Sequence, residues 1–152
     1  MNKHFELPKE FATKWLEDLR SGEYEQARHH LYIDGAYCCL GVACVQFLKG
    51  RNIEELLVKA TYNTVSEPLE LFPTIEEDFP KSIYTINPSI SELNLGAVLS
   101  KFNDGIDRLS LGELLIRYPN IYFNCVEYDE NGKITYTFEE IADFIEINVE
   151  LV

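Results

Sequence analysis

The stretch from Leu40 to Leu48, LGVACVQFL, is apolar on almost every side and is ended by Gly50. A helix without a polar face has to be buried, so the fold must be built around this one. Directly upstream lies Asp34-Gly35, a dipeptide that supplies positive φ for a hairpin turn. It is flanked by His30 and Tyr32 on one side and Ala36-Tyr37-Cys38 on the other. A β-hairpin is therefore expected to run straight into a central helix, with Cys38 and Cys39 at the junction.

Before the hairpin, Pro8 suits a first helical position, and Phe11, Ala12, Trp15, Leu16 and Leu19 repeat at helical spacing until Gly22. This is a core helix, Trp15 included. After the central helix, Asn52 can cap a short helix through Glu54, Glu55, Leu56 and Leu57. Pro68, Pro73, Pro80 and Pro88 then exclude long regular elements from about 61–90, while Leu69, Phe72, Phe79 and Ile83 argue that this segment packs back onto the body. Ser91 is the expected cap of a helix through Leu95, Val98, Leu99 and Phe102, stopped at Asn103-Asp104-Gly105. Ser110 with Glu113 reads as a capping box for a helix that Pro119 ends. Ile121 to Tyr128 and Ile134 to Phe138, around Asp129 to Lys133, read as a second hairpin. Thr137 with Glu140 caps a final helix that buries Ile141, Phe144, Ile145 and Val149. The expectation is one α+β domain over residues 1–152, with two β-hairpins forming an antiparallel sheet packed with about five helices.

A chain of 152 residues is long enough to fold alone, and 46% hydrophobic with 12% aromatic residues sets it apart from disordered sequences. No apolar run has signal-peptide or membrane-spanning length, which points to a soluble cytoplasmic protein with no membrane contact and its four cysteines as thiols. Net charge is −13, unevenly placed: residues 103–152 carry 3 Lys or Arg against 11 Asp or Glu. Such a face disfavours direct nucleic-acid binding and suits a basic protein partner.

Three chemistries compete for the special residues. A thiol nucleophile, Cys39 or Cys38, would stand at a helix N-terminus, and a two-residue turn at Asp34-Gly35 places His30 opposite Cys39 as its base. Structural thiols compete with this, since Leu40 and Val42 make the neighbourhood apolar. A metal held by Cys38, Cys39, Cys44 and His30 is disfavoured because adjacent cysteines point apart, and no cofactor is expected. Arg20, Tyr24, Gln26, Arg28, Tyr37, Asn103 and Asp104 form a candidate ligand set: guanidinium forks for phosphate, amides for a base edge, tyrosines for stacking. The competing reading pairs Arg20 with Asp18, and Arg28 with Glu23 or Glu25.

Leu19-Arg20-Ser21-Gly22, Tyr24, Gln26, Tyr37-Cys38-Cys39-Leu40-Gly41-Val42 and Cys44 resemble a family of small tailed-phage and prophage proteins. Asn103-Asp104 and Phe138-Glu139-Glu140-Ile141-Ala142-Asp143 are also similar to it. The chain departs from that pattern at Ala27-Arg28-His29-His30, where a basic, glycine-containing segment is usual. The resemblance implies a phage-type accessory protein and carries no activity with it. The leading expectation is a binding protein rather than an enzyme. It would modulate a host or anti-phage defence protein through an acidic face of Glu139, Glu140, Asp143 and Glu146. The alternatives are sequestration of a nucleotide-like small molecule and a cysteine-dependent hydrolase or transferase. An exposed hairpin edge would also permit a homodimer.

Overall fold

The computed structural model describes residues 3, 5–48, 50, 52, 80–83, 94–124 and 127–152. The expected short helix after Asn52, the Ser91 cap and most of the proline-bearing segment lie outside the described residues.

Strand β1 (Phe5–Leu7) leads into α1 (Lys9–Arg20), whose Phe11, Ala12, Trp15, Leu16 and Leu19 face the core as their spacing requires. Pro8 is the N-cap, one residue ahead of the expected position, and its φ of −56° suits either. Strand β2 (Glu25–Gln26) runs parallel to β4 (Ala36–Tyr37), and β3 (Tyr32–Ile33) pairs antiparallel with β4, giving the order β2-β4-β3. The hairpin turn is at Asp34-Gly35, with φ of 48° and 83°, the two positive values that a tight hairpin needs. The chain then enters α2 (Cys39–Cys44), all six residues buried, followed by a 3-10 turn at Val45–Phe47. Gly41 is required here, because an added Cβ would overlap the Leu31 carbonyl. The buried Trp15 indole donates to the Cys39 carbonyl (3.0 Å) and so ties α1 to the start of α2.

Helix α3 (Leu95–Asp104) is capped by Asn94, whose Oδ1 accepts from the Ala97 N–H at 2.7 Å. Asn caps as well as Ser, and Asn94 immediately precedes the first buried apolar residue, Leu95. After β5 (Ile106–Asp107) comes α4 (Arg108–Arg117). Its cap is Asp107, accepting from the Ser110 N–H at 2.8 Å, so the expected Ser110–Glu113 box is displaced by three residues. The helix ends before Pro119, as expected.

The second hairpin is where expectation and structure part. Its turn exists, with the Asp129 N–H donating to the Lys133 carbonyl at 2.7 Å. However, β6 (Lys133–Ile134) pairs antiparallel with β5, Ile106 opposite Ile134, and among the described residues no ladder joins it to the Ile121 segment. The Tyr122 backbone is bonded instead to a side chain: its N–H donates to Asn148 Oδ1 and its carbonyl accepts from Asn148 Nδ2, both at 2.9 Å. Helix α5 (Phe138–Asn148) opens with both arms of the Thr137–Glu140 capping box formed. Val149 is buried as expected but leaves the helix, starting β7 (Val149–Leu151), which pairs parallel with β1. The two ends of the chain thus meet, and α5 packs on α1.

The strands therefore form three small sheets rather than one, within an α+β domain containing five helices among the described residues. The core between α3 and α5 is aromatic: Phe102 stacks on Tyr136 at 4.2 Å and meets Phe144 at 5.5 Å and Phe123 at 5.6 Å. No helix among the described residues is long and apolar enough to cross a membrane.

Candidate functional site

Asn103 stands in the last turn of α3 and is fully buried. Its Oδ1 accepts from Gln26 Nε2 (3.0 Å) and from the Cys39 N–H (3.1 Å). Its Nδ2 donates to the Ala27 carbonyl (2.8 Å) and to Asp104 Oδ1 (3.0 Å). A side-chain amide has two acceptor sites and two donors, so this one is fully used within the protein. Gln26 Nε2 also donates to the Tyr136 carbonyl (2.9 Å), and Asp104 Oδ1 accepts from the His29 N–H (2.9 Å). That last bond helps hold His29 at a φ of 67°, a conformation that side chains other than glycine seldom adopt.

Gln26, Asn103 and Asp104 are brought together in a knot of internal hydrogen bonds. The knot joins the loop after β2, the first turn of α2, the end of α3 and the segment before α5. The other members of the expected set are committed elsewhere. Arg20 donates to Asp143 (2.8 Å) and Glu146 (2.6 Å) on α5, and Asp18 is held by Lys14 (2.9 Å) instead. Arg28 is exposed; Asp129 is held below the usual carboxylate range chiefly by the Lys133 N–H, then by the Asn131 N–H, with a smaller contribution from the Arg28 charge. Tyr24 and Tyr37 pack edge to face at 5.1 Å, with Tyr32 against Tyr37 at 5.0 Å, and burial raises the pKa of both Tyr24 and Tyr37.

Cys38, Cys39 and Cys44 are free and buried. Cys38 Sγ accepts from the Gly41 N–H at 3.4 Å and caps α2, and Cys39 Sγ lies 3.8 Å from the Leu99 carbonyl. Burial pushes the Cys38 thiol up to about 12 and the Cys39 and Cys44 thiols well above their ordinary value. The expected His30–Cys39 pair does not form. The ladder ends at Tyr32 opposite Tyr37, His30 is exposed, and Cys39 turns inward with α2. Even the Cys39 N–H, the donor an oxyanion would need, is taken by Asn103. Among the described residues no three His, Cys, Asp or Glu side chains gather as metal ligands.

On α5, Glu139 and Glu146 are exposed, Asp143 is half-buried, and the Glu140 carboxylate accepts from the Thr137 N–H at 3.1 Å. Sequence reasoning missed a cavity of about 450 Å³ beside α4. The division of the apolar residues of α4, with Leu111 and Leu114 buried but Leu109 75% and Ile116 82% exposed, shows only in the fold.

The fold and the knot define a small α+β domain in which the cysteine motif and the Asn-Asp pair hold one buried junction together. A family described as Domain of unknown function (DUF8296) matches residues 7–149, and the chain belongs to that family. No curated protein and no solved structure matches.

Proposed function

We propose that this chain is a phage-type accessory binding protein that works in the host cytoplasm, modulating a host or anti-phage defence protein through the carboxylates of α5. One observation supports this most. Glu139, Asp143 and Glu146 on α5 and Glu150 on β7 have a single guanidinium, Arg20, as ion-pair partner among the described residues. An excess of one sign on a fixed surface steers and orients a partner of the other sign, and more so at low salt. Arg20 also fastens two of these carboxylates to α1, so the face is held in one arrangement. The deeply buried thiols favour binding over cysteine catalysis.

The test is charge reversal at Glu139 and Glu150, both exposed and both outside the Arg20 bridge. The variant E139K/E150K should keep the melting temperature of the parent protein. It should bind the host partner that the parent captures at least about 10-fold more weakly, a change of about 1.4 kcal/mol. The partner should also leave the parent protein as salt rises. Unchanged affinity and salt dependence in the variant would remove the acidic face from the account.

A further inference from the structure

Among the described cations Lys9, Arg28 and Lys133 are exposed without an ion pair, and others have a partner. Arg20 is held by α5, Lys14 by Asp18, and Arg108 lies over the Tyr128 ring at 4.4 Å. Lys101 and Arg117 differ. Both line the cavity beside α4, and neither forms an ion pair or hydrogen bond with any described residue. In a chain of net charge −13, two cations without an ion pair that line the same cavity, against one carboxylate, Glu113, favour an anion there.

The rest of the lining narrows the anion. At about 450 Å³ the space lies within the range of small-molecule sites, roughly 300–1,000 Å³, and is far larger than a single inorganic ion needs. Leu114 and Ile116 give an apolar wall, and Ile116 is 82% exposed. Tyr118 offers a ring for stacking and Ser110 a hydroxyl donor. Glu113 also faces the space and is likewise unpaired, which suits a ligand carrying hydroxyl or amino donors at a distance from its negative group.

We infer that this cavity is a binding site for a nucleoside phosphate. The phosphate lies between Lys101 and Arg117 with the Ser110 hydroxyl, the base lies against Tyr118, Leu114 and Ile116, and Glu113 accepts from a sugar hydroxyl or an exocyclic amine. Guanidinium and ammonium groups bind phosphate by charge-assisted hydrogen bonds, so the two cations supply most of the affinity and the wall supplies the preference for a base. The site is separate from the α5 carboxylates, so either can fail without the other.

Isothermal titration of the full chain with the four nucleoside monophosphates, their cyclic forms, unphosphorylated nucleosides and inorganic phosphate tests the inference. At least one nucleotide should bind saturably, at least about 10-fold more tightly than inorganic phosphate or its own nucleoside. K101A and R117A should each weaken it about 10-fold or more, and K9A, an exposed lysine on α1, should leave it unchanged. Arg117 is exposed, so R117A tests the site even if Lys101 proves to matter for folding. No binding by any nucleotide at millimolar concentration would overturn the inference. So would equal binding of inorganic phosphate, or parent-like affinity in R117A.

Discussion

Single residues carry more of this fold than their chemistry first suggests. Asn103, Gln26 and Asp104 look like a recognition set, yet the Asn103 amide has no unused donor or acceptor: it bonds the Gln26 and Asp104 side chains and the Cys39 and Ala27 backbone. The sequence made the residue types legible but not their partners, because a hydrogen bond spanning 64 or 76 positions leaves no local pattern. The cysteines read more directly. Their apolar neighbours forecast burial, and burial raises all three described thiols. Iodoacetamide at about pH 8 should leave Cys38, Cys39 and Cys44 unmodified in the folded protein, as read by peptide mass mapping, and modify them in denaturant. The same burial sets a pH dependence. Below the ordinary thiol value of 9.0 both states keep their protons; between there and about 12 the unfolded chain loses protons that folded Cys38 retains, so stability falls as pH rises. Denaturation midpoints should therefore hold steady up to about pH 8, drop between about pH 9 and pH 11, and drop less steeply in C44A.

Among the elements, those with a local signature were legible and those defined by distant pairing were not. Helix α1, the Asp34-Gly35 turn, the buried α2 and the Thr137 capping box all follow from residues within a few positions of one another. The parallel β1–β7 pair could not be read, since three-residue strands at opposite ends of a chain show too few alternations to register. The second hairpin differs from its expected form where Tyr122 stands, because the Tyr122 backbone is bonded to the Asn148 side chain. Two glycines inside helices test how closely neighbouring elements approach. Gly41 faces the Leu31 carbonyl, so G41A should lose stability near the upper end of the overpacking range, about 3 kcal/mol. Gly112 on α4 has no atom within 4 Å of where a Cβ would stand, so G112A should gain about 0.5–1 kcal/mol from reduced backbone freedom in the unfolded chain. Denaturant unfolding of both variants should give shifts of opposite sign.

At the scale of the molecule, two long-range ties make one body of the described residues. The β1–β7 pair joins the chain ends, and the Asn103 knot joins the cysteine motif to α3 and to the segment before α5. The described surface carries carboxylates on α5, and Lys101 and Arg117 line the cavity beside α4. The acidic face was legible as a charge imbalance in the sequence; the cavity was not, because its lining comes together only when α4 packs beside the end of α3. The most direct test of the knot uses the single tryptophan, Trp15, which is fully buried and bonded to Cys39. Urea unfolding of the parent protein and N103A should be followed by Trp15 fluorescence and by far-ultraviolet circular dichroism. Both probes should give one coincident transition, and N103A should lower the unfolding free energy by about 3 kcal/mol by either probe, since the Cys39 N–H and the Ala27 carbonyl lose their partner together. A Trp15 transition that stays in place in N103A would contradict the account, because the motif would then be held without the knot.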